Sequence, residues 1–137
     1  MRIDDLTLGA SAELSKTIAA RDVEMFAEVT GDRNPVHLDE AAAARSMFGG
    51  RVAHGMLSAG LISAVLAMRL PGPGTVYLGQ TLRFTKPVRI GDTVTARVEV
   101  AEVMVAKRRA RLTTTCRNQL GEVVVDGEAT VLVEGEG

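Results

Sequence analysis

The sequence predicts an α+β domain in which an antiparallel sheet curls around one buried helix. Two observations predict it. The stretch from Gly55 to Met68 is an uncharged apolar run with its hydrophobic residues at helical spacing. From Thr75 onward the hydrophobic period changes to two, and four successive runs alternate between an apolar and a more polar face. A helix that is apolar nearly all round has to be surrounded by protein. A sheet with one apolar face is the natural cover.

Taken in order, Leu6 to Ala20 alternates weakly and reads as a short edge strand. Arg21 to Thr30 reads as a helix, because Val23, Phe26, Ala27 and Thr30 fall at i, i+3, i+4 and i+7. Gly31 stands where a C-terminal cap belongs. Asp39 can cap a further helix that carries an alanine run and ends near Ser46 to Gly50. In the apolar helix, Leu57, Gly60, Leu61, Ala64, Val65 and Met68 form one stripe, and Pro71-Gly72-Pro73-Gly74 ends it. The strand runs lie around Val76 to Phe84, Val94 to Val100, Ala110 to Cys116 and Val123 to Val133. Turn signals at Lys86-Pro87, Gly91-Asp92 and Asn118 to Gly121 separate them.

Composition narrows the class. The chain has 137 residues, read as a single domain over 1–137, and its 46% hydrophobic content suits a packed core. A net charge of -1 argues against nucleic-acid binding and against a polybasic membrane anchor. The apolar run is shorter than the roughly 20 residues that span a bilayer, and no membrane association is expected. Met1 to Asp5 carries no apolar signal region, which reads as a cytoplasmic protein. Cys116 is the single cysteine, suited to a reducing compartment and read as a small buried hydrophobe.

The chemistry concentrates in Thr30-Gly31-Asp32-Arg33-Asn34-Pro35-Val36-His37-Leu38-Asp39. Pro35 has no N–H and pushes Asn34 out of the α region, so the preceding helix stops and the chain turns. Asp32, Asn34 and His37 then project from one short, stiff loop. An acid and an imidazole held together can share one water, one taking its proton while the other returns a proton to the substrate. Asn34 can orient the water or the acid. The same letters also make an ordinary turn. A second string, Arg51-Val52-Ala53-His54-Gly55-Met56-Leu57, favours chemistry, because the two histidines of the chain, His37 and His54, fall one in each string.

Gly55 is expected at the N-terminus of the apolar helix. There it either permits a tight entry or offers unpaired N–H groups and a positive dipole end to an oxygen gaining negative charge. His54, at the same positive end, reads as neutral, and serves either as a structural hydrogen-bonding residue or as a substrate contact. Ser63 either bonds a backbone carbonyl or reaches the Asp32 carboxylate. No metal site is expected from the ligand spacing. No glycine-rich phosphate loop is present in the sequence, so no nucleotide cofactor is indicated.

The strings Gly31 to Asp39 and Val52 to Leu57 resemble those of the MaoC-like, (R)-specific enoyl-CoA hydratases. Tyr77-Leu78-Gly79-Gln80 and Phe84-Thr85-Lys86-Pro87-Val88 to Gly91-Asp92 fit as well, so the similarity runs over nearly the whole chain. The resemblance implies the hot-dog fold, a homodimer, an acyl-CoA substrate and no cofactor. It implies a lyase that adds water syn to a trans-2-enoyl-CoA, giving the (R)-3-hydroxyacyl-CoA. Routes of this kind supply polyester (polyhydroxyalkanoate) precursors or belong to fatty-acid metabolism. Asp32 and His37 match the catalytic pair, and Asn34 matches a residue that helps hold the hydrated site. Gly55 matches the glycine whose amide binds the thioester oxygen, and Ser63 matches a supporting serine. A hot-dog acyl-CoA thioesterase and a non-catalytic acyl-CoA binding module are the alternatives. The acid–imidazole pair speaks for hydration, which needs both proton removal and proton delivery. The homodimer is also expected on physical grounds, because a sheet edge needs cover.

Overall fold

In the computed structural model, which describes residues 1–134, a short helical turn at Ile3–Asp5 leads into strand β1 (Ser11–Thr17). Helices α1 (Ala20–Thr30), α2 (Pro35–Leu38), α3 (Glu40–Ala44) and α4 (Gly55–Met68) follow. Strands β2 (Thr75–Gln80), β3 (Arg83–Phe84), β4 (Thr93–Met104), β5 (Arg109–Arg117) and β6 (Val123–Val133) complete the chain. The strands form one antiparallel sheet of six, in the order β1-β4-β5-β6-β2, with β3 also paired to β6. The sheet wraps α4, and the architecture is the expected α+β hot-dog arrangement.

The core sits between α4 and the inward faces of the long strands. Ile62, Val65 and Leu66 of α4 meet Val94, Ala96, Val98 and Val100 of β4 and Ala110, Leu112 and Cys116 of β5. Burying each of the larger side chains is worth about 1.5–3 kcal/mol. The period-two reading of β4 and β5 matches their alternating burial. β1 lies at one sheet edge as expected, with Glu13 and Lys16 exposed, the usual protection of an edge.

Three expectations need correction. The run from Val76 to Phe84 is two strands, because the chain bulges between Tyr77 and Gly79 and breaks at Thr81-Leu82. At the break Thr81 N–H donates to Glu128 O at 2.9 Å. A Cβ on Gly127 would stand 1.8 Å from Thr81 O, so only glycine admits this crossing. The third helix ends at Ala44, short of the predicted Ser46, with Arg45 as its cap. Most consequentially, α4 is not covered all round within one chain: Met56, Gly60, Ala67 and Met68 remain exposed along one side. Among the described residues no helix is long and apolar enough to cross a membrane.

Local signals explain the loops. Gly31 takes φ 82° and caps α1 through its N–H to Ala27 O. Asp39 Oδ1 accepts from the N–H groups of Ala41 and Ala42, as the capping reading requires. At the start of α1 the Asp22 carboxyl is held below its usual range, chiefly by the hydrogen bond from Ala19 N–H and also by Lys16.

Cys116 is fully buried on β5, where desolvation pushes its thiol pKa up to about 12. Near pH 8 it therefore stays a thiol, and the thiolate is the reactive form. In the native protein an aromatic disulfide reagent should modify it no faster than the protein unfolds, and in denaturant one thiol per chain should react at once. Rapid native labelling at pH 8 would show that the β5–α4 packing is looser than described.

Candidate active site

Two segments far apart in sequence are stitched together to make the site. The first runs from the end of α1 through α2. The loop predicted for Asp32 to His37 is partly helical, since Pro35 starts α2 at its first position, where a missing N–H costs nothing. Asn34 caps that turn, its Oδ1 accepting from Val36 N–H at 3.4 Å. The Asp32 peptide is fixed on both sides. Its N–H donates to Thr30 Oγ1 at 3.1 Å, and its carbonyl accepts from His54 Nε2 at 2.9 Å. Its exposed carboxylate accepts from Asn34 N–H through Oδ1 at 3.2 Å.

The second segment, Arg51 to His54, leads into α4. His37 Nδ1–H donates to Val52 O at 2.7 Å, and Val52 N–H donates back to Val36 O at 3.3 Å. The carbonyl partner sets the tautomer: Nδ1 carries the proton and Nε2 keeps its lone pair. His54 is 3% exposed and stacks on His37 with ring centroids 3.8 Å apart. Phe26 of α1 covers its ring at 4.7 Å. Of the two roles open to His54, the geometry favours the structural one: its Nε2–H pins the backbone of Asp32.

One atom each from Asp32, His37 and His54 lies within 4.8 Å of the other two. A single water making two hydrogen bonds of about 2.8 Å spans such a distance between Asp32 and His37. Ligand spacing in the sequence conceals this trio. It is poorly arranged for a metal, however. The imidazoles stack with planes 27° apart, and one nitrogen of each already donates to a backbone carbonyl, His37 Nδ1 to Val52 O and His54 Nε2 to Asp32 O.

Gly55 is the first residue of α4, where the leading N–H groups have no intrahelical partner and the dipole is positive. The residue before it makes no side-chain cap. A Cβ at Gly55 would approach the Phe84 ring to 2.6 Å, so glycine is needed here for a close approach.

Two cavities meet at this point. One, of about 330 Å³, is lined by Phe26, Thr30, Asp32 and His54. The other, of about 510 Å³, has apolar walls from Val52, Phe84, Val88, Val124 and Val125, with Lys86 and Asn34 among its polar residues. His37, Gly55 and Met56 line both. The pair Asp32–His37 and the helix N-terminus thus stand where an elongated apolar ligand would pass.

The structure does not bring Ser63 to this point. It is half-buried, eight residues along α4 from Gly55 and so about 12 Å along the axis. It lines a separate cavity of about 440 Å³ with Gly60, Tyr77, Leu78 and Gln80. The serine that does reach the larger cavity is Ser58, 1% exposed, with its hydroxyl unpartnered among the described residues. No functional role for Ser58 is read from the sequence; a hydroxyl one turn after His54 on an apolar helix is the available signal.

Comparison with known proteins agrees with the fold. The family model described as MaoC like domain matches residues 7–123. The 3-hydroxybutyryl-CoA dehydratase of Methylorubrum extorquens is 60% identical over 95% of this chain and 82% of its own length. The (R)-specific enoyl-CoA hydratase of Rhodospirillum rubrum is 51% identical over 98% of this chain and 92% of its own. Among solved structures, an unliganded R-hydratase from Pseudomonas aeruginosa superposes with a TM-score of 0.94 at 53% identity, covering 98% of this chain and 86% of that one. With most of its length matched by the family model and by relatives of this similarity, the chain belongs to the MaoC-like family.

Proposed function

We propose that the chain, acting as one MaoC-like unit, is an (R)-specific enoyl-CoA hydratase. It is a hydro-lyase that adds water syn across a trans-2-enoyl-CoA to give the (R)-3-hydroxyacyl-CoA. The activity named for its relatives supports this. The observation that carries it is the Asp32–His37 pair, held within the reach of one water at the junction of two cavities and beside the N-terminus of α4.

The water's oxygen bonds to the β-carbon and its proton passes to one member of the pair. The other member delivers a proton to the α-carbon as the carbon–carbon double bond is lost. Both groups work from one side, which gives syn addition. His37 Nε2 has the free lone pair for this exchange, since Nδ1 is committed to Val52. As the double bond shifts, the thioester oxygen gains negative charge, and the Gly55 N–H at the positive helix end stabilises it. Asn34 steadies the acid by its N–H and caps α2 with its side chain. The product class suits a route that uses (R)-3-hydroxyacyl thioesters, such as polyester precursor supply, and the free cysteine suits a cytoplasmic location.

The working form is a homodimer built on β2. That strand is the sheet edge opposite the charged β1, and Val76, Tyr77 and Leu78 on it are exposed apolar side chains. It adjoins the uncovered side of α4 across the cavity that holds Ser63. A second copy would pair the edge and cover the helix at once. Ser63 would lie in that interface, and any support it gives a site is given there.

The reading is tested by mixing the protein with crotonyl-CoA and following loss of the enoyl-thioester absorbance, with chiral analysis of the product. Release of free thiol without hydration would instead indicate a thioesterase. Asp32→Asn and His37→Ala should each lower turnover by at least about 10²- to 10⁴-fold. The double variant should be little worse than the worse single one, because groups acting as a unit are not additive. A folded Asp32→Asn protein with near-full activity would remove the pair from the mechanism.

Gly55→Ala should lower kcat with the fold retained, and Phe84→Leu added to it should restore part of the loss by clearing the ring. If the single variant is as active as the parent, the glycine is not needed for the approach. Tyr77→Asp combined with Leu78→Asp should convert a dimer to a monomer in sedimentation. A parent protein that is already monomeric at micromolar concentration would refute the proposed assembly.

A further inference from the structure

Arg51 has no part in the chemistry described above, yet it touches the centre of the site. Its side chain is only 11% exposed and lies between α1, α2 and α3. Its Nε donates to the carbonyl oxygen of His37 at 2.7 Å. Glu24 of α1 stands 3.8 Å from Nη2 and Glu40 of α3 stands 3.6 Å from Nε, and both carboxylates are largely in water. Nη2 is buried and, among the described residues, has no hydrogen-bond acceptor. A buried cation with a donor left over is a poor stabilising device. Residues that break a local rule in this way cluster at functional sites.

From this geometry we infer that Arg51 is a positioning residue for His37. Helix α2 has four residues, so the carbonyls at its end lack intrahelical donors. Arg51 supplies a charged donor to one of them, that of His37. The next residue, Val52, accepts from the His37 ring and donates to Val36 O. Arg51 and Val52 therefore grip His37 at its backbone and its imidazole at the same time. The backbone grip sets the direction of the Cα–Cβ bond, and the ring bond sets the rotation about it. With Arg51 gone, the α2 peptide can turn and carry Nε2 away from the water it shares with Asp32. A displacement near 1 Å at a reacting group can lower a rate by about 10²-fold.

The inference rests on the hydratase reading for its kinetic test, so a second measurement needs no turnover. Arg51→Met keeps the length and removes the donor. It should lower kcat with crotonyl-CoA by about 10- to 100-fold while KM changes little and the melting temperature does not fall. Arg51→Lys, which keeps a charged donor without the fork, should recover part of the loss. In a His37→Ala background Arg51→Met should cause no further loss, because its effect passes through the imidazole. Imidazole nitrogen NMR should show one His37 tautomer in the parent and broadened or mixed tautomers in Arg51→Met. Equal losses with and without His37 would overturn the inference, as would an unchanged tautomer in Arg51→Met. A parent protein that hydrates no enoyl-CoA would refute the hydratase reading alone, and the NMR comparison would still decide the role of Arg51.

Discussion

Four hydrogen bonds between residues 32–37 and 51–54 hold the site together, and each ends on a backbone carbonyl. His54 donates to Asp32, His37 to Val52, Arg51 to His37 and the Val52 amide to Val36. A carbonyl acceptor leaves a histidine little choice of tautomer. His37 Nε2 is thereby left out of these four bonds, and His54 is spent on holding the peptide of Asp32. The stitch also reaches the segment between β3 and β4, since Ala53 N–H donates to Val88 O at 2.7 Å. A short exposed loop becomes as well placed as the core behind it, which is what proton transfer demands.

The helix behind the stitch answers two needs. Its N-terminus provides unpaired amides beside the imidazole. Its body provides the apolar surface that the sheet closes over. One chain completes the second task only in part, because β2 at the sheet edge and the adjoining side of α4 stay open. Small residues there, Gly60 and Ala67, leave a flat strip that a close neighbour can meet.

Much of this was legible in the residues. Gly31, Asp39 and the Pro71 to Gly74 string mark their boundaries by local backbone physics, which one sequence carries in full. The alternations in β4 and β5 predict their buried faces because both strands lie inside the sheet. β2 was harder, since an edge strand is open on both faces and a bulge shifts its register. Pro35 misled for a simple reason: proline ends a helix when it lies inside one and favours the start of one at its first position. Asp32, His37 and Gly55 could be picked out as candidates because their side chains, or the lack of one, suit the proposed chemistry, and the structure brings them to one place. Arg51 and Ser58 could not. The significance of Arg51 lies in a contact with a neighbour 14 residues away, which no local pattern encodes. The one local sign of Ser58, a hydroxyl one turn after His54 on an apolar helix, says nothing of the cavity wall from the far strand.

The larger cavity takes its walls from two sources. The groups proposed to handle protons come from residues 32–55, while Val124 and Val125 come from β6, at the other end of the chain. Substitutions at those valines would reshape the space offered to a substrate without touching the stitched loops. Within a family built on this plan, selectivity can drift while the chemistry stays constant. The same separation makes β6 the place to begin when redesigning the enzyme for a bulkier acyl group.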